Sequence, residues 1–279
     1  MSVTPGVTAT TPARGPAYVE VSGISKTFAL NRRQNLLALD DLRFGIQKGE
    51  LVAVVGPSGC GKSTLLRIIA GLETPDTGAV FIGGETPDAL TRQHRLGVAF
   101  QDHALLPWLS VGENIALPYR LSGMPVDKAR IASLAAMVGL SDFLDSVPRQ
   151  LSGGMRQRVS IARAIVLDPV LLLLDEPFGA LDLVTRRALN REMQSLWATL
   201  GTTTLLITHS VEEAVQLADR VIIMAARPGR IHAEFPVDLP RPRNRAVTDT
   251  MAFLQLVQAV SASLDDASTA SGRSVESGA

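Results

Sequence analysis

Five apolar residues in a row, Leu51-Val52-Ala53-Val54-Val55, end abruptly at Gly56. So short a run, with no polar position in it, predicts a strand buried on both faces. Polar and apolar positions then take up helical spacing from Lys62 to Ala70, and Gly71 supplies a stop. Further strands are expected at Leu96–Phe100, Val170–Leu174, Thr204–Ile207 and Arg220–Met224, with helices at Thr185–Leu200 and Val211–Leu217 between the later ones. The stretch 102–167 reads as mostly helical, most clearly over Val126–Val138 and Met155–Leu167. Alternating strand and helix predicts a largely parallel sheet covered by helices, with the helical middle as an insertion. Phe253, Leu256, Val257 and Val260 recur at helical spacing, so a C-terminal helix is expected over 247–262. Residues 1–16 (Thr, Pro, Gly and Ala) predict a flexible leader, and 263–279, poor in large apolar residues, a disordered tail.

Composition narrows this picture. Hydrophobic residues make up 46% of the 279 positions, enough for a substantial core. Lys plus Arg and Asp plus Glu both number 27, and this balance gives no reason to expect a nucleic-acid partner. One cysteine, Cys60, permits no internal disulfide and suits a reducing compartment. No run approaches the roughly 18 to 20 apolar residues of a membrane span, and the first residues lack the basic and apolar regions of a signal peptide. A membrane role therefore calls for a separate partner.

Three motifs carry chemistry. Gly56-Pro57-Ser58-Gly59-Cys60-Gly61-Lys62-Ser63-Thr64 fits G-x-x-x-x-G-K-[ST] between a predicted strand and a predicted helix. Its glycines let the backbone wrap so that N–H groups and the helix N-terminus face phosphate oxygens. Lys62 can reach the β- and γ-phosphates, and the Ser63 hydroxyl can bind Mg²⁺. The cysteine in this loop, beside Lys62 and a helix N-terminus, is expected to have a lowered thiol pKa. Secondly, the apolar Leu171–Leu174 ends in Asp175-Glu176. Alone that is as readily an ordinary strand end with a solvated acid pair as a site. Beside a phosphate loop, Asp175 can hold Mg²⁺ directly or through water, and Glu176 can act as general base. Thirdly, Leu151-Ser152-Gly153-Gly154-Met155-Arg156-Gln157-Arg158 begins a helix with Ser152 as N-cap and two bare glycines. This is either a well-capped helix or a second anion site.

The set resembles the ATP-binding cassette family, with every motif in family order over roughly residues 18–240. Leu151–Gln157 is similar to the family's signature sequence, Phe178-Gly179-Ala180-Leu181-Asp182 to its D-loop, Gln101 to its Q-loop glutamine, His209 to its switch histidine and Phe28 to the aromatic that stacks on adenine. The resemblance implies a P-loop NTPase core, an α/β fold with a mostly parallel sheet, N-terminal antiparallel β-strands and an inserted α-helical subdomain at about 102–167 within a domain spanning 17–246. It implies catalytic roles for Glu176, His209 and Gln101, with Ser63, Gln101 and Asp175 around Mg²⁺. It also implies that two cassettes pair head to tail, so that Ser152, Gly153 and Gly154 face ATP held by the partner. Met155 stands where the family often has Gln, so no amide contact to ribose is expected there.

Without fused membrane helices, long coiled coils or a second motif set, the resemblance points to an importer subunit at the cytoplasmic face of the bacterial inner membrane. Its partners would be a second, identical cassette, an integral permease and, indirectly, a periplasmic solute-binding protein. Leu105–Ile115, Asp175–Asp182, Thr208–Ala214, Arg227–Ile231 and Leu239–Arg243 are similar to the nitrate, sulfonate and taurine import group. A soluble cassette acting on nucleic acid or ribosomes is the alternative, and a kinase lacks a use for Leu151–Arg158. Leu105, Leu106 and Trp108 either line a groove for a permease helix or pack the subdomain's own core. Arg241, Arg243 and Arg245, among prolines, read as an exposed linker.

Overall fold

The structure, a computed structural model, describes residues 16–31, 34–179, 186, 189–190, 193–194, 197 and 200–276, with side chains followed to Thr269. The leader 1–15, Ala180–Asp182 of the D-loop resemblance and residues 277–279 lie outside it.

Two sheets form the core. β1 (Val19–Asn31), β2 (Gln34–Ile46) and β4 (Thr77–Ile82) make an antiparallel sheet in the order β2-β1-β4. β3 (Leu51–Val55), β5 (Leu96–Ala99), β6 (Leu171–Asp175), β7 (Thr203–Thr208), β8 (Arg220–Ala225) and β9 (Arg230–Pro236) make the second, ordered β5-β6-β7-β3-β8-β9. Its first five strands are parallel, and β9 returns antiparallel to β8. The two sheets and the helices between them are the expected α/β architecture.

The apolar runs are continuous because both faces of this sheet are covered. Leu51, Ala53 and Val55 of β3 enter one core, and Val52 and Val54 enter the other. Leu172 and Leu174 of β6 alternate with Leu171 and Leu173 in the same way. One face packs on the antiparallel sheet and α1 (Lys62–Ile69), next to α2 (Pro87–Arg92). The other packs on α3 (Val111–Ser122), α4 (Lys128–Met137) and α5 (Gly153–Ile165), which all lie between β5 and β6, and on α6 (Val211–Leu217). Residues 186, 189, 190, 193, 194, 197 and 200 are helical, and Leu189, Met193 and Trp197 join that core.

Helix starts follow their caps. Ser110 and Glu113 form a capping box on α3 (Glu113 N–H to Ser110 Oγ, 3.2 Å; Ser110 N–H to Glu113 Oε2, 2.9 Å). Asp127 caps α4 and Ser152 caps α5.

The C-terminal segment departs from the sequence reading. A short α7 (Arg245–Thr248) precedes α8, which runs from Met251 to Glu276 and so continues through most of the stretch expected to be disordered. Phe253, Val260 and Ala267 recur every seventh residue and are all buried against the sheet. The low content of large residues after 262 suggested an absent core contact. Alanine is instead the strongest helix former, and it lets the helix lie close to its neighbours. Ala267→Asp is therefore expected to lower stability by about 2 kcal/mol in denaturant unfolding, as for an unpaired buried acid. Asp266→Ala, on the exposed side, should leave the midpoint unchanged.

Candidate nucleotide site

β3 lies between β7 and β8, so chain connections leave it in opposite directions and open a crevice at the strands' carboxyl ends. A cavity of about 610 Å³ occupies this crevice. Gly56–Gly61 form one wall, and Lys62, Ser63 and Thr64 begin α1 behind it. Gly61 caps α1 at φ +93°, where a side chain would strike Leu39 at 2.5 Å. Lys62 is buried, and its ammonium donates to the carbonyls of Gly56 (2.7 Å) and Pro57 (3.1 Å). Pro57 itself does not line the cavity.

The acid pair enters from β6. Asp175 Oδ1 accepts from Ser63 Oγ at 3.4 Å. Burial raises the pKa of this carboxyl; Ser63 and Lys62 oppose the shift, and the Glu176 charge adds to it. Glu176 leaves the strand with φ +45°, a left-handed conformation that is costly for a non-glycine residue and turns its carboxylate toward the cleft. Its N–H donates to Ile207 O (2.8 Å), and His209 Nδ1 lies 3.2 Å from Glu176 Oε2. Gln101, just past β5, completes this side. Phe28 stands at the opposite wall with the Lys26 ammonium 5.4 Å from its ring centre.

Ser152, Gly153 and Gly154 do not meet this cavity. Ser152 Oγ accepts from Met155 N–H at 3.3 Å, and Ser152 is exposed at the start of α5. The chain thus presents two separate anion-type helix starts.

Some expectations need correcting. Cys60 is 0% exposed, and burial pushes its thiol pKa up despite the opposing charge of Lys62, because the ring of loop atoms excludes water from the sulfur. Arg243 is 1% exposed and is no linker residue. Its guanidinium donates to the carbonyls of Val215 (3.3 Å), Gln216 (3.4 Å) and Ala218 at the end of α6, and to those of Val237 (3.0 Å) and Leu239 (3.3 Å). These carbonyls satisfy a charge that burial would otherwise expel, and burial still lowers its pKa to about 10. Arg241 pairs with Asp219 (2.6 Å), and Arg245 alone of the three stays fully exposed.

A groove of about 460 Å³ runs between the parallel sheet and α3, past Leu72, Phe100, Ala104, Leu117, Leu121 and Leu167. Leu105, Leu106 and Trp108 are not among its lining. Leu105 packs on the subdomain core, and Trp108 is 72% exposed. Asn114, buried in α3, ties the loop between Gln101 and α3 through Leu106 N–H (2.9 Å) and the carbonyls of Leu106, Leu109 and Ser110. Arg163 of α5 holds its other end through the carbonyls of His103 (2.7 Å) and Ala104 (2.8 Å).

Sequence reasoning missed Leu36, Leu37 and Arg227 on the cavity wall. They come from β2 and the β8–β9 turn, and no local pattern links those segments to the loop. It also missed Glu213, whose carboxyl is buried and pushed up to about pH 7, chiefly by desolvation. Ser210 followed three residues later by an acid is the legible capping signal that points to it.

A profile of the ABC transporter family matches residues 39–179. The aliphatic sulfonates import ATP-binding protein SsuB of Bacillus cereus is 44% identical over 81% of this chain and 89% of its own length. SsuB of Bacillus subtilis is 42% identical over 92% and 99%. A dimeric post-hydrolysis structure of the ATP-binding cassette MJ0796 bound to ADP and Pi superposes with TM-score 0.70 at 32% identity, covering 78% of this chain and 98% of that one.

The Glu213 carboxyl has a stability consequence. Its pKa in the folded chain lies above the ordinary 4.5, so the folded state holds a proton that the unfolded chain has lost between about pH 4.5 and 7. Stability from this group is complete below that window and falls as pH rises through it. Glu213→Gln should flatten that slope in urea midpoints measured from pH 4.5 to 7.

Proposed function

Because the chain belongs to the ABC transporter family and is an ATPase, we propose that it is the subunit that energises import of a small anionic solute through a separate membrane permease. The solute class is nitrate, an aliphatic sulfonate or taurine, and the sulfonate importers among the relatives favour a sulfonate. Among the described residues no helix is long and apolar enough to cross a membrane, so the reading assigns the spanning to a partner and this chain to the cytoplasmic face of the inner membrane. A periplasmic solute-binding protein would deliver the cargo from the other side.

The observation that carries the reading is the separation of the two anion sites. Lys62, Ser63, Glu176 and His209 line one cavity, with Asp175 bonded to Ser63, while the Ser152–Gly154 helix start lies outside that lining. A second copy turned head to tail brings that start to the γ-phosphate, so ATP joins the pair and its hydrolysis releases it.

In this scheme the loop N–H groups and the Lys62 ammonium bind the phosphates, and Phe28 stacks on adenine. Ser63 and Asp175 fit Mg²⁺: a hydroxyl and a carboxylate in contact are hard oxygen donors of the kind this cation takes, with phosphates and water to complete its shell. Gln101 extends toward the same place. When bound, Mg²⁺ neutralises charge on the transferred phosphoryl group. Glu176 accepts the proton of the attacking water, and His209 holds that carboxylate and steadies the γ-phosphate. The groove beside Phe100 and Ala104 takes a cytoplasmic helix of the permease. The loop pinned by Asn114 and Arg163 then connects Gln101 to that helix.

Glu176→Gln is expected to cut turnover by about 10² to 10⁴ and to trap an ATP-bound dimer in sedimentation experiments. A variant that turns over normally overturns the base assignment. A strictly monomeric variant, with ATP and with the permease in membranes, overturns the paired-cassette reading.

A further inference from the structure

His209 sits between two residues that a single side chain ties together. The Thr208 hydroxyl donates to Glu213 Oε2 at 3.0 Å, and its oxygen accepts from Ser210 N–H at 3.0 Å. Ser210 Oγ in turn accepts from Glu213 N–H at 3.3 Å. The hydrogen bonds close a ring through Thr208, Glu213 and Ser210, with His209 as the one residue spanned by it. An ordinary capping box would send the Glu213 carboxylate directly to the Ser210 N–H. Here the carboxyl bonds Thr208, the residue before the histidine, and the Thr208 oxygen in turn takes the N–H of Ser210, the residue after it.

The carboxyl is also costly where it stands. Glu213 is 4% exposed, and its Oε1 has no hydrogen-bond partner among the described residues. Charged groups acting on it are Arg186, on the helix that follows the D-loop, and Glu176, at the end of β6. Arg186 also donates to Gly179 O at 3.4 Å, so the same surroundings reach the start of the D-loop. Glu213 is absent from the cavity lining, so it does not touch nucleotide. A capping role alone would be met by an exposed glutamate at no desolvation cost.

We propose that Glu213 is a positioning residue that fixes the backbone on both sides of His209 through Thr208 and Ser210, and so sets the imidazole against Glu176. This rests on the role of His209 proposed above. The far end of α6 is held independently by Arg243 against the carbonyls of Val215, Gln216 and Ala218. Removing the latch therefore frees the histidine turn without unfastening the helix.

The test compares Glu213→Ala, Glu213→Gln, Thr208→Val and Thr208→Ser with His209→Ala. ATPase kcat and KM are measured alongside the His209 imidazole NMR signal and the thermal midpoint. Glu213→Ala and Thr208→Val are expected to lose about ten- to a hundredfold in kcat, the scale of a misplaced catalytic group. Their KM for ATP should stay unchanged, and the His209 signal should shift. Glu213→Gln and Thr208→Ser keep the acceptor and the hydroxyl and are expected to recover most of the loss. Wild-type kcat in both disrupted variants overturns the proposal, as does a loss that the conservative variants fail to recover. Should Glu213→Ala not fold, the Thr208→Val and Thr208→Ser pair decides. Full activity in His209→Ala refutes the histidine role itself, whereas an inactive His209→Ala beside active latch variants refutes only the latch.

Discussion

The structure depends on holding the glycine-rich loop open at the end of β3. Lys62 braces it from within through the carbonyls of Gly56 and Pro57, and further support comes from outside. Gly229, in the β8–β9 turn, donates to Ala38 O (2.9 Å), and its own carbonyl accepts from Asp40 N–H (2.9 Å). A side chain at Gly229 would lie 2.3 Å from Cys60 O, so only glycine lets this turn brace the back of the loop. The antiparallel sheet is thereby tied to the parallel one beside the cavity.

Charge is distributed with the same economy. Far from the cleft, Arg220 is buried between Glu50 (3.0 Å) and Glu234 (2.6 Å), a satisfied cluster at the start of β8. Two other buried acids are compensated less fully. Asp175, bonded to Ser63, and Glu213, outside the cavity lining, both have raised pKa values, caused first by burial.

The C-terminal segment fastens the helix that follows His209 rather than trailing from it. Gln194 accepts from Arg243 N–H (2.6 Å) and donates to Arg243 O (3.0 Å), and Gln216 adds a bond of 3.2 Å to the same carbonyl. The helix following the D-loop and the helix following His209 are thus joined through one residue. α8 then covers the sheet beside them with Phe253, Val260 and Ala267.

The positions of most parallel strands, the phosphate loop, the acid pair and most helices were legible in the residues alone. They depend on local chemistry: apolar runs that end in glycine or acid, caps one turn from their helices, and a backbone motif of fixed spacing. What escaped depends on residues far apart in sequence. Arg243 looked like a solvated linker because its five carbonyl partners come from segments whose approach no local pattern reveals. Cys60 looked activated because neighbouring charge is visible in sequence and desolvation is not. Residues 263–276 looked disordered because a small residue such as Ala267 becomes a packing contact only once a sheet lies beneath it. Sequence determined which groups could bind phosphate; tertiary structure decided which were buried and which charges met, because burial and distance belong to the assembled chain.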